Sequence, residues 1–165
     1  MAKITLKKRH AIKKSELSRL FQSLEEQIGE SALFYKTKRI EVGETDSKVR
    51  VYLIDRQPCL MEYGSWVFPT LRGLVAHPIS CRKIIVDSGA VGYVVNGADI
   101  MRPGIIDVTD DVKKDMPVQV VEERHGKPLA VCLSLYDAGA LMEQEKGKSC
   151  KNVHYVGDEL WNLEV

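Results

Sequence analysis

The sequence predicts an α+β protein built from two small domains, and three observations carry that prediction. Leu17, Leu20, Phe21, Leu24 and Ile28 fall at i, i+3, i+4, i+7 and i+11, which lines up one face of an amphipathic helix. Val49, Val51 and Leu53 alternate with Arg50 and Tyr52, the period-2 pattern of a half-buried strand. Beyond His77-Pro78, strand signals separated by turns dominate to the last residue. The boundary is placed around Ile79, giving domains of residues 1–79 and 80–165. A chain of 165 residues suits one ordinary domain or two small ones.

Taken in order, residues 3–14 are basic, with Lys7, Lys8, Arg9, Lys13 and Lys14 among few apolar positions. Ser15 is the expected N-cap of the first helix and Gly29 its terminator. Strand-like runs follow at 39–42, 48–54 and 59–63, with Asp55 to Pro58 as a hairpin loop. Pro69 suits the first turn of a short helix through Leu74 and Val75. In the second domain Lys83–Val86 reads as a strand. Residues 118–123 and 129–135 flank a tight hairpin at Arg124-His125-Gly126-Lys127, and 152–156 and 160–163 flank Gly157-Asp158. Many short strands with regular turns suggest a small barrel or sandwich. The stretch from Gly89 to Gly97 is ambiguous. Val91, Tyr93, Val94 and Val95 favour a strand, whereas Ala90, Val91, Val94, Val95 and Ala98 recur at helical spacing with Gly97 at a helix C′ position.

The 44% hydrophobic content is that of a folded soluble domain rather than a disordered one. A net charge of +1 conceals an uneven distribution: residues 1–50 hold twelve Lys/Arg against seven Asp/Glu, or +5, and the remainder carries −4. A basic front end attracts phosphate, with affinity that falls as salt rises; the plainer alternative is a solvated basic surface. Cys59, Cys81, Cys132 and Cys150 form no CxxC pair and are read as reduced, not as a metal site or disulfide framework. The first fourteen residues lead into no apolar core of the kind a signal peptide needs, and no run approaches the length of a membrane helix. The expected location is cytoplasmic, with no membrane association.

Three segments together resemble the malignant T-cell-amplified sequence protein family, as an archaeal-type relative. They are Phe68-Pro69-Thr70-Leu71-Arg72; Val86-Asp87 with Gly89-Ala90, Gly97-Ala98, Ile100-Met101 and Pro103-Gly104; and Lys146-Gly147 with Asn152, His154-Tyr155 and Leu160-Trp161. The resemblance covers nearly the last 100 residues and is looser in the first third of the chain. Members join a distinct N-terminal domain, called pre-PUA, to a C-terminal PUA domain. The implied fold is therefore a small N-terminal α/β domain packed on a C-terminal PUA pseudo-barrel of mostly short β-strands, with Gly89 to Gly97 settled as helix. One departure from the PUA pattern stands out: the usual Gly-Asp before the middle hairpin is here Lys114-Asp115, with Pro117 two residues on.

The resemblance also implies RNA binding in translation, with tRNA or small-subunit rRNA as the RNA, and the small ribosomal subunit and a translation-factor protein as further partners. PUA modules grip RNA through the glycine loop after the first helix, the following strand and the last strand. That points to Asn96, Gly97, Ala98 and Asp99 in the loop, Met101 and Arg102 on the strand, and His154 near the end. Lys7, Lys8, Arg9 and Arg72 would be a supporting basic patch. A Gly-Ala loop has little bulk, so its backbone N–H groups can approach phosphate, and Arg102 can supply a charge-assisted bond. Each residue also has a plainer role: Gly97-Ala98 ending a helix, Pro103-Gly104 making a turn, His154 packed in a strand, Trp161 in the core.

No GxSxG, P-loop, HExxH or GxGxxG pattern is present, and the four histidines are scattered. Asp107, Asp110, Asp111 and Asp115 read as a solvated loop rather than a metal site. The expectation is no catalytic residue, no metal, no cofactor and no enzymatic activity. Two other functions stay open: an RNA-targeting subunit of a tRNA-modifying enzyme such as a split tRNA-guanine transglycosylase, and a protein-docking module with an exposed apolar patch near Trp66 and Phe68.

Overall fold

The computed structural model describes residues 4–47 and 49–165; Lys3 and Lys48, which begin two of the segments expected from the sequence, lie outside them. The chain divides into two compact units, residues 1–79 with 162–165, and residues 80–161. The last four residues, expected in the second domain, thus belong to the first. Leu163 is buried, and its carbonyl accepts a 2.9 Å bond from Arg72 Nη1.

The first unit opens with strand β1 (Leu6–Ala11), helix α1 (Lys14–Ile28), a 3₁₀ turn (Gly29–Ala32) and the one-turn helix α2 (Leu33–Lys36). Strands β2 (Ile40–Thr45), β3 (Val49–Ile54), β4 (Gln57–Tyr63) and β5 (Trp66–Pro69) follow, then helix α3 (Leu71–Ala76). The five strands form one antiparallel sheet in chain order, with β1 at an edge. Helix α1 packs on β5 through the expected stripe, burying Leu20, Leu24 and Ile28. Each such side chain taken from water contributes about 1.5–3 kcal/mol before entropic costs.

Several local expectations shift. The N-cap of α1 is Lys13, and Ser15 lies inside the helix. The β3–β4 turn is only Asp55-Arg56, both with positive φ, the two-residue geometry that matches strand twist. Pro69 ends a strand instead of starting a helix, and Thr70 caps α3: its side chain accepts from Gly73 N–H at 3.1 Å and donates to the Pro58 carbonyl at 2.6 Å. A Cβ on Gly73 would run into the Cys59 carbonyl, so glycine is what lets α3 lie against β4. Trp66 and Phe68 are 5% and 0% exposed, which removes the apolar docking patch expected around them.

The second unit runs β6 (Lys83–Val86), helix α4 (Val91–Val94), β7 (Ile100–Met101), a 3₁₀ turn (Arg102–Gly104), β8 (Ile105–Val108), β9 (Pro117–Glu122), β10 (Pro128–Ser134), helix α5 (Ala138–Glu143) and β11 (Lys148–Tyr155). These strands form the pseudo-barrel sheet in the order β7-β11-β10-β9-β6-β8, antiparallel except for β6 beside β9. Ile84, Val86, Val118, Val120, Ala130 and Cys132 fill its core, with Val94 of α4 and Leu141 of α5 packed in. Pro117 opens β9, a position where its missing N–H is tolerated. Residues 160–163, expected as a strand, are turns through Asn162 and irregular at Leu163. All four cysteines are free thiols, and burial pushes the Cys150 thiol up to about 12.

Candidate nucleic-acid interface

Helix α4 is one turn long and stops at the glycine. Gly97 N–H returns to the Val94 carbonyl (3.0 Å) and Ala98 N–H to the Tyr93 carbonyl (3.0 Å), the paired bonds of a Schellman motif. Gly97 has φ +90°, and a Cβ there would lie 2.9 Å from the Tyr155 ring. The Gly97-Ala98 amides therefore close the helix and are not free for phosphate, as the plainer reading of these residues has it. Asn96 caps the same helix, its Nδ2 donating to the Gly92 carbonyl at 2.7 Å.

The turn is clamped from β11. Asn152 Nδ2 donates to the carbonyls of Val94 (3.2 Å) and Ala98 (3.0 Å), and its backbone N–H donates to Asp99 Oδ1 (2.8 Å). Asp99 Oδ2 meets Lys148 Nζ at 2.8 Å. Burial pushes the Asp99 carboxyl up, but Lys148, the Asn152 N–H and the charge of Lys151 outweigh it and hold the group below its ordinary value. Strand β7 pairs with β11, setting Met101 across from Lys148.

Beside the turn lies a mostly apolar cleft of about 430 Å³ whose lining includes Asp87, Tyr93, Asp99, Met101 and Gly104. Tyr93 is 72% exposed and Met101 50%, so the cleft presents open apolar surface. Lys146, Lys148 and Lys151 are exposed on and just before β11. The composition of Lys146-Gly147-Lys148-Ser149-Cys150-Lys151 signals that basic run, but only the pairing of β11 with β7 brings Lys148 to the turn.

Two expected contact residues point inward. His154 is 1% exposed, and its Nδ1 lies 3.0 and 2.9 Å from the two oxygens of buried Asp158, which also accepts the backbone N–H groups of Tyr155 and Trp161. Burial raises the Asp158 carboxyl, but the His154 ring and those N–H groups prevail and hold it below its ordinary value. Arg102 Nη1 and Nη2 donate to the carbonyls of Ile105 (3.0 Å) and Met142 (3.2 Å), so its guanidinium braces the 3₁₀ turn. Both are corrections to the expected contact set.

The basic residues of the first unit divide similarly. Lys7 and Lys8 are exposed on edge strand β1. Arg9 is bound by Glu41, with Nε to Oε2 at 2.6 Å and Nη2 to Oε1 at 3.2 Å. Arg72 is committed to the Leu163 carbonyl and the Gln57 side chain. The acidic loop also has structural work: Asp111 accepts the Arg82 N–H at 3.1 Å. Among the described residues no cluster of three or more His, Cys, Asp or Glu is placed to hold a metal, and no helix is long and apolar enough to cross a membrane.

Residues 82–156 match the PUA domain family model, and residues 8–77 match the model described as Domain of unknown function (DUF1947). The chain is 34% identical over 162 residues to an uncharacterized protein of Methanocaldococcus jannaschii, covering 96% of this chain and 98% of that one. It is 29% identical over 153 residues to Translation machinery-associated protein 20 of Schizosaccharomyces pombe, covering 90% and 83%. Malignant T-cell-amplified sequence 1-A of Xenopus laevis is 32% identical over 103 residues, covering 59% and 56%. Among solved structures, that of a hypothetical protein from Pyrococcus horikoshii superposes with a TM-score of 0.86 at 29% identity, covering 94% of this chain and 98% of that one. A DUF1947 (pre-PUA) domain followed by a PUA domain along residues 8–156, with a translation-machinery relative over 90% of the chain and a malignant T-cell-amplified sequence relative over 59% of it, establishes that the protein belongs to the malignant T-cell-amplified sequence family.

Proposed function

We propose that this protein is a non-catalytic, cytoplasmic RNA-binding protein acting in translation, with tRNA or small-subunit rRNA as its target. The carrying observation is the PUA domain itself, with an open cleft at its glycine turn and three exposed lysines beside it. The relative named for the translation machinery supplies the setting. The proposed contact surface comprises Asn96, Gly97, Ala98, Met101, Tyr93 and the β11 lysines. Lysines there would neutralise phosphates and release counterions, and the open Tyr93 ring offers a stacking face to an unpaired base. Lys7 and Lys8 would add a weaker, longer-range basic surface. A translation-factor protein remains a proposed further partner.

The test is binding of the purified protein to unfractionated tRNA and to small ribosomal subunits across a salt series. Tight binding to either, falling steeply between about 50 and 200 mM salt, is the expected result. No binding to either at low salt would overturn the reading.

A further inference from the structure

The Asp99 carboxylate sits in a small built anion site. One oxygen takes a 2.8 Å bond from the Asn152 backbone N–H, and the other takes a 2.8 Å contact from the Lys148 ammonium. Lys151 adds positive charge from the same strand. The two donors converge from β11 onto a pair of oxygens, and the two non-bridging oxygens of a phosphodiester span a similar gap. The Lys148 side chain is 50% exposed, so its ammonium is reachable from solvent while paired. Ala98 next to the site is exposed and has no side chain beyond Cβ, so a polymer backbone can come close.

We infer that Asp99 is a resident anion occupying a phosphate subsite made by Lys148 and the Asn152 amide, and that an RNA phosphodiester displaces it. This rests on the RNA-binding reading above and turns the expected role of Asp99 around: the residue guards the contact instead of making it. The exchange is physically open because a half-exposed ion pair is worth little to the fold. A phosphate brings its own charge-assisted bonds to the same donors. While Asp99 stays, its charge offsets Lys148 and lowers affinity; once it swings aside, Lys148 and Lys151 act on the phosphate together. The turn keeps its shape throughout, since the Asn152 side-chain bonds to Val94 and Ala98 do not involve Asp99.

The test is fluorescence anisotropy of fluorescein-labelled unfractionated tRNA with the full-length chain, comparing the unaltered protein with Asp99→Asn, Lys148→Gln and the double variant. Asparagine keeps an oxygen for the Asn152 N–H and removes the charge. Asp99→Asn is expected to bind tRNA about three- to tenfold tighter at low salt, the effect of deleting one unit charge a few ångströms from a phosphate at a solvated surface. Its affinity should also fall more steeply with salt. Lys148→Gln should bind more weakly, and the gain from Asp99→Asn should vanish in the double variant. Equal or weaker binding by Asp99→Asn, with an unchanged melting temperature, overturns the inference. Should Asp99→Asn not fold, undiminished binding by Lys148→Gln overturns it, because that change leaves the Asp99–Asn152 bond in place. Absence of tRNA and subunit binding by every form overturns the RNA-binding reading itself, and the two failures are thereby distinct.

Discussion

Strand β1 and the turn between α4 and β7 handle their polar groups in opposite ways. On β1, Lys7, Lys8 and His10 project into water, and Glu41 holds only Arg9. In the turn, Asn96, Gly97, Ala98 and Asp99 each commit a donor or acceptor to a named partner in α4 or β11. A free lysine carries a field but no fixed geometry, and that field is screened over about 8–10 Å at ordinary ionic strength. The turn carries shape with little net charge. Substitutions on β1 should therefore alter affinity without touching the fold, whereas substitutions of Gly97 or of the Asn152 side chain that clamps the turn should act on the fold first.

The strongest break in that contrast lies behind the turn, at His154. Truncating it to alanine strands a buried carboxylate, and His154→Ala is expected to cost about 3–5 kcal/mol in a denaturant titration. The same pair predicts a pH dependence. The Asp158 carboxyl is held below its unfolded value, so its contribution is complete above about pH 4. It drains away as pH falls through the lower folded value, and Asp158→Asn should flatten that acid-side loss. Next in size is the turn itself. Gly97→Ala forces a side chain into a φ of +90° and against Tyr155, and Asn152→Ala removes the side-chain donor to the Ala98 carbonyl and leaves the Val94 carbonyl with the Gly97 N–H alone. Each is expected to cost about 1–3 kcal/mol, read in the same titration. Smallest for the fold is the double change Lys7→Ala/Lys8→Ala. Stability should stay within about 0.5 kcal/mol, while the salt slope of tRNA binding drops by about one per lysine in contact.

Helix α1, with one wet and one dry face, announces itself through Leu20, Leu24 and Ile28. Strand β3 is legible from its alternation, although the structure buries Tyr52 on the face expected to be wet along with Val51 and Leu53. Strand β1 has no such pattern because Lys7 to Ala11 are exposed throughout, and β5 has none because Trp66 to Pro69 are buried throughout. Leu160 and Leu163 imitate a strand, yet both are buried from a segment that forms turns and irregular chain. At the site, residue types were legible and partners were not. Arg102 carries the fork geometry that suits phosphate, but one of its acceptors is the carbonyl of Met142, forty residues on. Asp99 resembles a polar loop residue until β11 delivers Lys148 and Asn152 to it. Nothing local in the chain encodes such a meeting.

The lone parallel pair in the second unit bears on the order in which the unit is built. Strand β6 lies beside β9, with Ile84 across from Val120, whereas β9 and β10 meet through a short hairpin. Local hairpins close quickly, and pairings between distant segments wait on the entropy of closing long loops. The glycine turn belongs to the slow class, since its clamp is a side chain more than fifty residues downstream of α4. On a growing polypeptide the turn therefore has no clamp until Asn152 has been synthesised, and the proposed RNA surface is among the last parts of the unit to mature.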